Sequence, residues 1–165
     1  MRKVMLALVA VLFPVASGAV EIVKNFNDWT VIKAEGGQDL IAVTINDVGH
    51  FIGFRCFAKD QKCVHVLSAK TACEDDQKYP ILINSDYTAM SMEAVCGVNG
   101  EAHELYLTKY DEIHQALKKG SAIGFAIPME SGKFKVVRFS LTGSEKAMDY
   151  VEENTPEAKS GETYL

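Results

Sequence analysis

The stretch Ser121–Leu141, SAIGFAIPMESGKFKVVRFSL, decides the fold class. Ile123, Phe125, Ile127 and Met129 point one way, while Ala122, Gly124, Ala126 and Pro128 point the other. Strict period-two alternation of this kind marks a strand with one face in a core. Glu130-Ser131-Gly132-Lys133 then supplies a turn into Phe134–Leu141, so the stretch predicts a β-hairpin. One face of its first strand is a wall of large apolar side chains. The other is nearly bare, which predicts a helix or second sheet lying close on it; an internal cavity for a small ligand is the alternative.

Upstream, the same pattern recurs in short pieces. Trp29–Lys33, Leu40–Asn46, His50–Phe57, Lys62–Leu67, Tyr79–Asn84 and Met90–Cys96 read as strands bounded by Gly, Asn and Asp. Ile41, Val43 and Ile45 share one face of their strand, and Ile52, Phe54 and Cys56 share one of theirs. His65 alternates with Val64 and Val66 and is expected at the surface. Two helices interrupt the pattern. Tyr110–Lys119 carries Ile113, Ala116 and Leu117 at helical spacing, with acids early, lysines late and Gly120 as its stop. Thr142 and Glu145 are spaced as a capping box for a second helix through Val151. Strands separated by turns about every 8–12 residues predict an all-β domain of the sandwich or barrel type.

The ends of the chain read differently. Met1-Arg2-Lys3 is basic, Val4–Val15 carries no charge, and Ala16-Ser17-Gly18-Ala19 is small. That order is the pattern of a secretory signal peptide over residues 1–19, cleaved near Ala19, and its apolar run is too short to span a bilayer. From Asn154 onward the periodicity stops, so 154–165 is expected to be a flexible tail behind a single domain of residues 20–153. With Arg2 and Lys3 removed, 15 basic residues face 22 acidic ones, a balance of −7. An acidic protein gains nothing from counterion release on a nucleic-acid backbone, and anionic lipid repels it. The expected partner is therefore a protein, and a basic one where long-range electrostatics steers the encounter.

Four cysteines, Cys56, Cys63, Cys73 and Cys96, make an even set. In an oxidising compartment such a set forms two bridges, with three connectivities open. A hairpin around Ala58-Lys59-Asp60-Gln61 sets Cys56 opposite Cys63, which leaves Cys73 for Cys96. No C-x-x-C occurs, which argues against both a zinc knuckle and a thioredoxin-type redox role.

The search for chemistry finds no catalytic set and no cofactor or metal motif. There is no G-x-S-x-G elbow, and His103-Glu104 lacks the second histidine of a zinc helix. Glu74-Asp75-Asp76 offers oxygens to calcium but not at the spacing of a calcium loop, and reads as a solvated turn. His50, His65, His103 and His114 are scattered.

Four segments nevertheless share a pattern. Phe26-Asn27-Asp28-Trp29-Thr30-Val31 opens the domain, and Cys96 precedes a turn at residues 97–100. Leu117-Lys118-Lys119-Gly120 runs into an apolar strand, and Phe139-Ser140-Leu141-Thr142-Gly143 with Ala147 closes the domain. In these the chain resembles the invasion-associated locus B family of exported proteobacterial proteins. The resemblance implies an immunoglobulin-like antiparallel β-sandwich with no enzymatic site and a role at the cell envelope or host contact. The expectation is a non-catalytic interaction module, periplasmic or secreted, that binds through the loops Ala58–Lys62, Cys73–Lys78 and Asn84–Thr88. Its alternative is an inhibitor of a basic secreted enzyme such as a lysozyme-type glycosidase.

Overall fold

The computed structural model describes residues 20–34, 37–99 and 101–156. The expected leader (1–19) and the expected tail past residue 156 lie outside the described residues. The elements run β1 (Glu21–Phe26), β2 (Trp29–Lys33), β3 (Leu40–Ile45), β4 (Phe51–Cys56), β5 (Cys63–Ser68), β6 (Lys78–Ser85), β7 (Ala89–Asn99) and β8 (Ala102–Leu107), then α1 (Tyr110–Lys119), β9 (Ala122–Pro128), β10 (Phe134–Ser140) and α2 (Ser144–Asn154).

Antiparallel pairing links all ten strands into one curled sheet, in the order β1-β2-β3-β4-β5-β8-β7-β6-β9-β10. The architecture is thus antiparallel β with two helices, drawn as one continuous ladder and not as two separate sheets. Its narrowest point is the junction of β5 with β8, where only Val66↔Tyr106 and Leu67↔Leu105 are in register. The far end of the sheet returns to the near end: Trp29 Nε1 donates to the Ser140 carbonyl at 3.0 Å, and the Asp28 amide donates to that of Thr142 at 3.2 Å. Closing the sheet in this way buries a single core running from Trp29 and Phe54 to Phe125 and Phe139.

The expected hairpin forms with Val137 opposite Phe125 and Phe139 opposite Ile123, all four buried. Its turn closes on Gly132, whose φ of 74° is in the left-handed region that glycine adopts without a steric penalty. In β3 the core side is Leu40, Ala42 and Thr44, while Ile41 and Val43 are half-buried on the other face and Ile45 is exposed. Both helices pack on the first half of the sheet: α2 lies over β1 to β4, and α1 lies against β5 and α2.

Two expectations about this end of the fold are corrected. The Ala122, Gly124 and Ala126 side of β9 is not covered; it is the outer surface of the sheet, shared with Leu82, Phe134 and Val136, which are 49%, 55% and 56% exposed. The Arg138 side chain lies across the space over Gly124. Nor does Thr142 cap α2. Gly143 stands at the N-cap with φ 96°, where a Cβ would run into the Phe26 carbonyl, and among the described residues no side chain caps the helix. Ser144, fully buried, directs its hydroxyl instead at the carbonyls of Leu117 (2.5 Å) and Leu141 (2.7 Å), tying α2 to the end of α1.

Candidate functional site

The structure gathers three of the four histidines in two places, while His50 stands apart just before β4, near Lys70 and Lys135. The first is an aromatic cluster between α1 and the sheet, buried at His65 and Phe54 and open to solvent at Tyr110. His65 is fully buried, not at the surface as its alternation with Val64 and Val66 predicts. The reason is that β5 is covered on both faces: Val66 on one side is as buried as His65 and Leu67 on the other. Cys56 pairs with Cys63 and Phe54 with His65, so the imidazole shares the inner face with Phe54. Phe54, Tyr110 and His114 surround it at ring-centroid distances of 5.0, 4.8 and 5.5 Å. Among the described residues neither His65 nitrogen has a hydrogen-bond partner, and the same is true of His114 Nδ1.

Burial, helped by the charge of a protonated His114, pushes the His65 pKa down to about 3. The ring is therefore a neutral member of the core at neutral pH. His114 is also held below its ordinary value, chiefly by burial, although Glu152 at 3.6 Å pulls the other way. Beside it, burial opposes the charge of Lys118, but Asp149 at 2.5 Å and Glu152 at 3.6 Å outweigh that and raise its pKa. This group joins α1 to α2.

The second place is open. A surface cleft of about 520 Å³ lies between the loop after β5 and the β9–β10 turn. Buried Leu105 and Ile127 form its floor; Tyr79, Pro128 and Met129 are half-buried on its walls, and Glu74 and Glu130 stand exposed at its lip. Cys73 lines it too, and its sulfur is at bonding distance from that of Cys96 on β7. The other pair, Cys56 and Cys63, is likewise joined, with Cα atoms 4.0 Å apart across the β4–β5 ladder.

His103 sits against the Cys73–Cys96 pair. Its Nδ1 is 3.3 Å from the Cys73 amide nitrogen, 3.1 Å from the Cys73 carbonyl oxygen and 4.0 Å from Cys73 Sγ. Thirty residues separate the two in sequence, which is why no spacing rule finds the contact. The acidic run Glu74-Asp75-Asp76 is bound into the same corner. Asp75 Oδ1 accepts from the Val98 amide at 2.9 Å, and the Asp76 amide donates to the Cys96 carbonyl at 2.9 Å.

Of the three loops expected to carry binding, Cys73–Lys78 borders the cleft and the other two lie elsewhere. Ala58–Lys62 is closed by Phe57 and Lys62, whose backbones bond at 2.9 Å, and its Ala58 amide donates to Asp39. Asn84–Thr88 is tied down by Asp86, which accepts twice from the Ser121 amide and whose carboxyl pKa is lowered mainly by those bonds. Among the described residues no helix is long and apolar enough to cross a membrane.

No family model matches the chain, and no curated protein matches it. Among solved structures it is similar to the crystal structure of invasion associated protein B from Bartonella henselae, with a TM-score of 0.54 over 78% of this chain and 94% of that one. At 11% identity the likeness is one of fold, and it falls on the family that the four sequence segments resemble.

Proposed function

We propose that this chain is a non-catalytic, exported interaction module of the bacterial envelope, periplasmic or secreted, that holds an exposed basic segment of a protein partner in the cleft beside Cys73. The make-up of the cleft carries the proposal: two lip carboxylates, Glu74 and Glu130, over an apolar floor of Leu105 and Ile127. Such a surface suits a lysine or arginine, whose apolar stem lies on the floor while its charged head stays wet at the lip. The balance of −7 outside residues 1–19 adds long-range attraction for the same class of partner. Two joined cysteine pairs suit an oxidising compartment, and the leader pattern over 1–19 suits export. The fold likeness to invasion associated protein B supports an envelope setting.

Affinity capture from an envelope extract tests this, with the chain starting at Val20 compared against a Glu74→Lys/Glu130→Lys variant. A partner held by the parent, and released by the double variant or by raised salt, is the expected result. Equal retention by both chains, or no retained protein, refutes it. The same acidic lip favours one further reading, an inhibitor of a basic secreted enzyme. A lysozyme-type glycosidase that keeps full activity with the chain present at low ionic strength ends that reading.

A further inference from the structure

We propose that reduction of the Cys73–Cys96 bond turns Cys73, Cys96 and His103 into a binding site for a soft divalent metal, with zinc as the best match. Three elements meet there: the loop between β5 and β6 brings Cys73, β7 brings Cys96, and β8 brings His103. The β7–β8 register opposes Cys96 to Leu105 and Val98 to His103, so Cys96 and His103 stand one step apart on the same inner face.

The ligand atoms of the three residues all lie within 4.8 Å of one another. A tetrahedral zinc with Zn–S of about 2.3 Å and Zn–N of about 2.1 Å sets sulfur and nitrogen about 3.6 Å apart and two sulfurs about 3.8 Å apart. Cys73 Sγ and His103 Nδ1 are already 4.0 Å apart. The two sulfurs need only spread once their bond is cut. Nδ1 exchanges its present contact with the Cys73 backbone for the metal, and one coordination position remains for water. Two thiolates and an imidazole favour zinc over calcium or magnesium, which prefer oxygen.

The Cys56–Cys63 pair has no such third donor: among the described residues, Cys73, Cys96 and His103 form the one group of this kind. The redox step balances with a dithiol reductant. Its two thiols supply two electrons and two protons, the disulfide becomes two thiols, and the dithiol leaves as its own disulfide. Metal binding then releases the two thiol protons. Cys73 is half-buried on the cleft wall, so a reductant can reach its sulfur from that side.

The test titrates zinc and, as a spectroscopic stand-in, cobalt into the whole chain before and after dithiol reduction, with the dithiol removed before metal is added. The reduced chain is expected to bind one metal ion with a thiolate-to-cobalt charge-transfer band, and the disulfide-bonded chain to show none. His103→Ala and Cys73→Ser should each weaken zinc binding about tenfold or more, whereas Cys56→Ser/Cys63→Ser should leave the band intact. If reduction unfolds the chain, zinc is expected to restore the buried signal of Trp29. A cobalt band unchanged in His103→Ala, zinc bound equally by Cys73→Ser, or an unfolded reduced chain that zinc does not rescue would each overturn the proposal.

Discussion

Acid should weaken this fold chiefly through one residue. His65 has a folded-state pKa of about 3 against an ordinary 6.5. The unfolded chain therefore takes up a proton first as pH falls. Stability is intact above pH 6.5 and drains away between 6.5 and about 3. Each pH unit in that window removes about 1.4 kcal/mol, so going from pH 7 to pH 5 costs about 2 kcal/mol. The loss through the whole window is about 5 kcal/mol, which rivals the stability of an ordinary domain.

The assay is urea unfolding of the disulfide-bonded chain at pH 7, 6 and 5, followed by fluorescence of the single, fully buried Trp29. With a urea slope of about 2 kcal/mol per molar, the midpoint should fall by about 1 M between pH 7 and pH 5. His65→Phe keeps a ring among Phe54, Tyr110 and His114 but cannot titrate, and His65→Gln serves if the larger ring disturbs packing. Both should remove most of the drop. His50, also held down by burial, acts in the same direction in every chain and cancels from the comparison. A parent midpoint that is flat from pH 7 to 5, or an equal drop in both variants, would refute the reasoning.

The cysteine pairs should differ in what their loss costs. Their sequence separations of 23 and 7 predict, from loop entropy, about 3 kcal/mol for Cys73→Ser/Cys96→Ser and about 2 kcal/mol for Cys56→Ser/Cys63→Ser. Urea midpoints of the two double variants at neutral pH check the order. Gly143→Ala should be worse than either single effect of its size suggests, because the new Cβ meets the Phe26 carbonyl and the site holds φ at 96°. We expect a loss of at least about 2 kcal/mol, read as a large fall in midpoint, with Gly132→Ala as the milder control since nothing lies within 4 Å of its Cβ.

Much of the fold was legible because period-two alternation, turn residues and helix ends are local signals. The hairpin of Ser121–Leu141, the helix Tyr110–Lys119 and the opposition of Cys56 to Cys63 all rest on neighbours in sequence. His65 shows where such signals fail. Pairing Cys56 with Cys63 already opposes Phe54 to His65, which puts the imidazole on the core face of a strand that is covered on both sides. Alternation carries a polar-means-outside meaning only when one side of the strand meets water.

The cleft and the His103 contact were out of reach for a different reason. Glu74, Leu105 and the Ile127–Glu130 stretch come from three distant segments, and His103 meets Cys73 across 30 residues of chain. The amino-acid order by itself determined the placement of both helices and of eight strands, the cysteine arithmetic and the sign of the charge, whereas β1 and β8, which carry no clear alternation of apolar and polar residues, emerged only from their pairing in the sheet. The curl of the sheet decided which faces close, since only packing of distant segments sets what is dry, and that in turn decided which histidine is silent and which stands beside a sulfur.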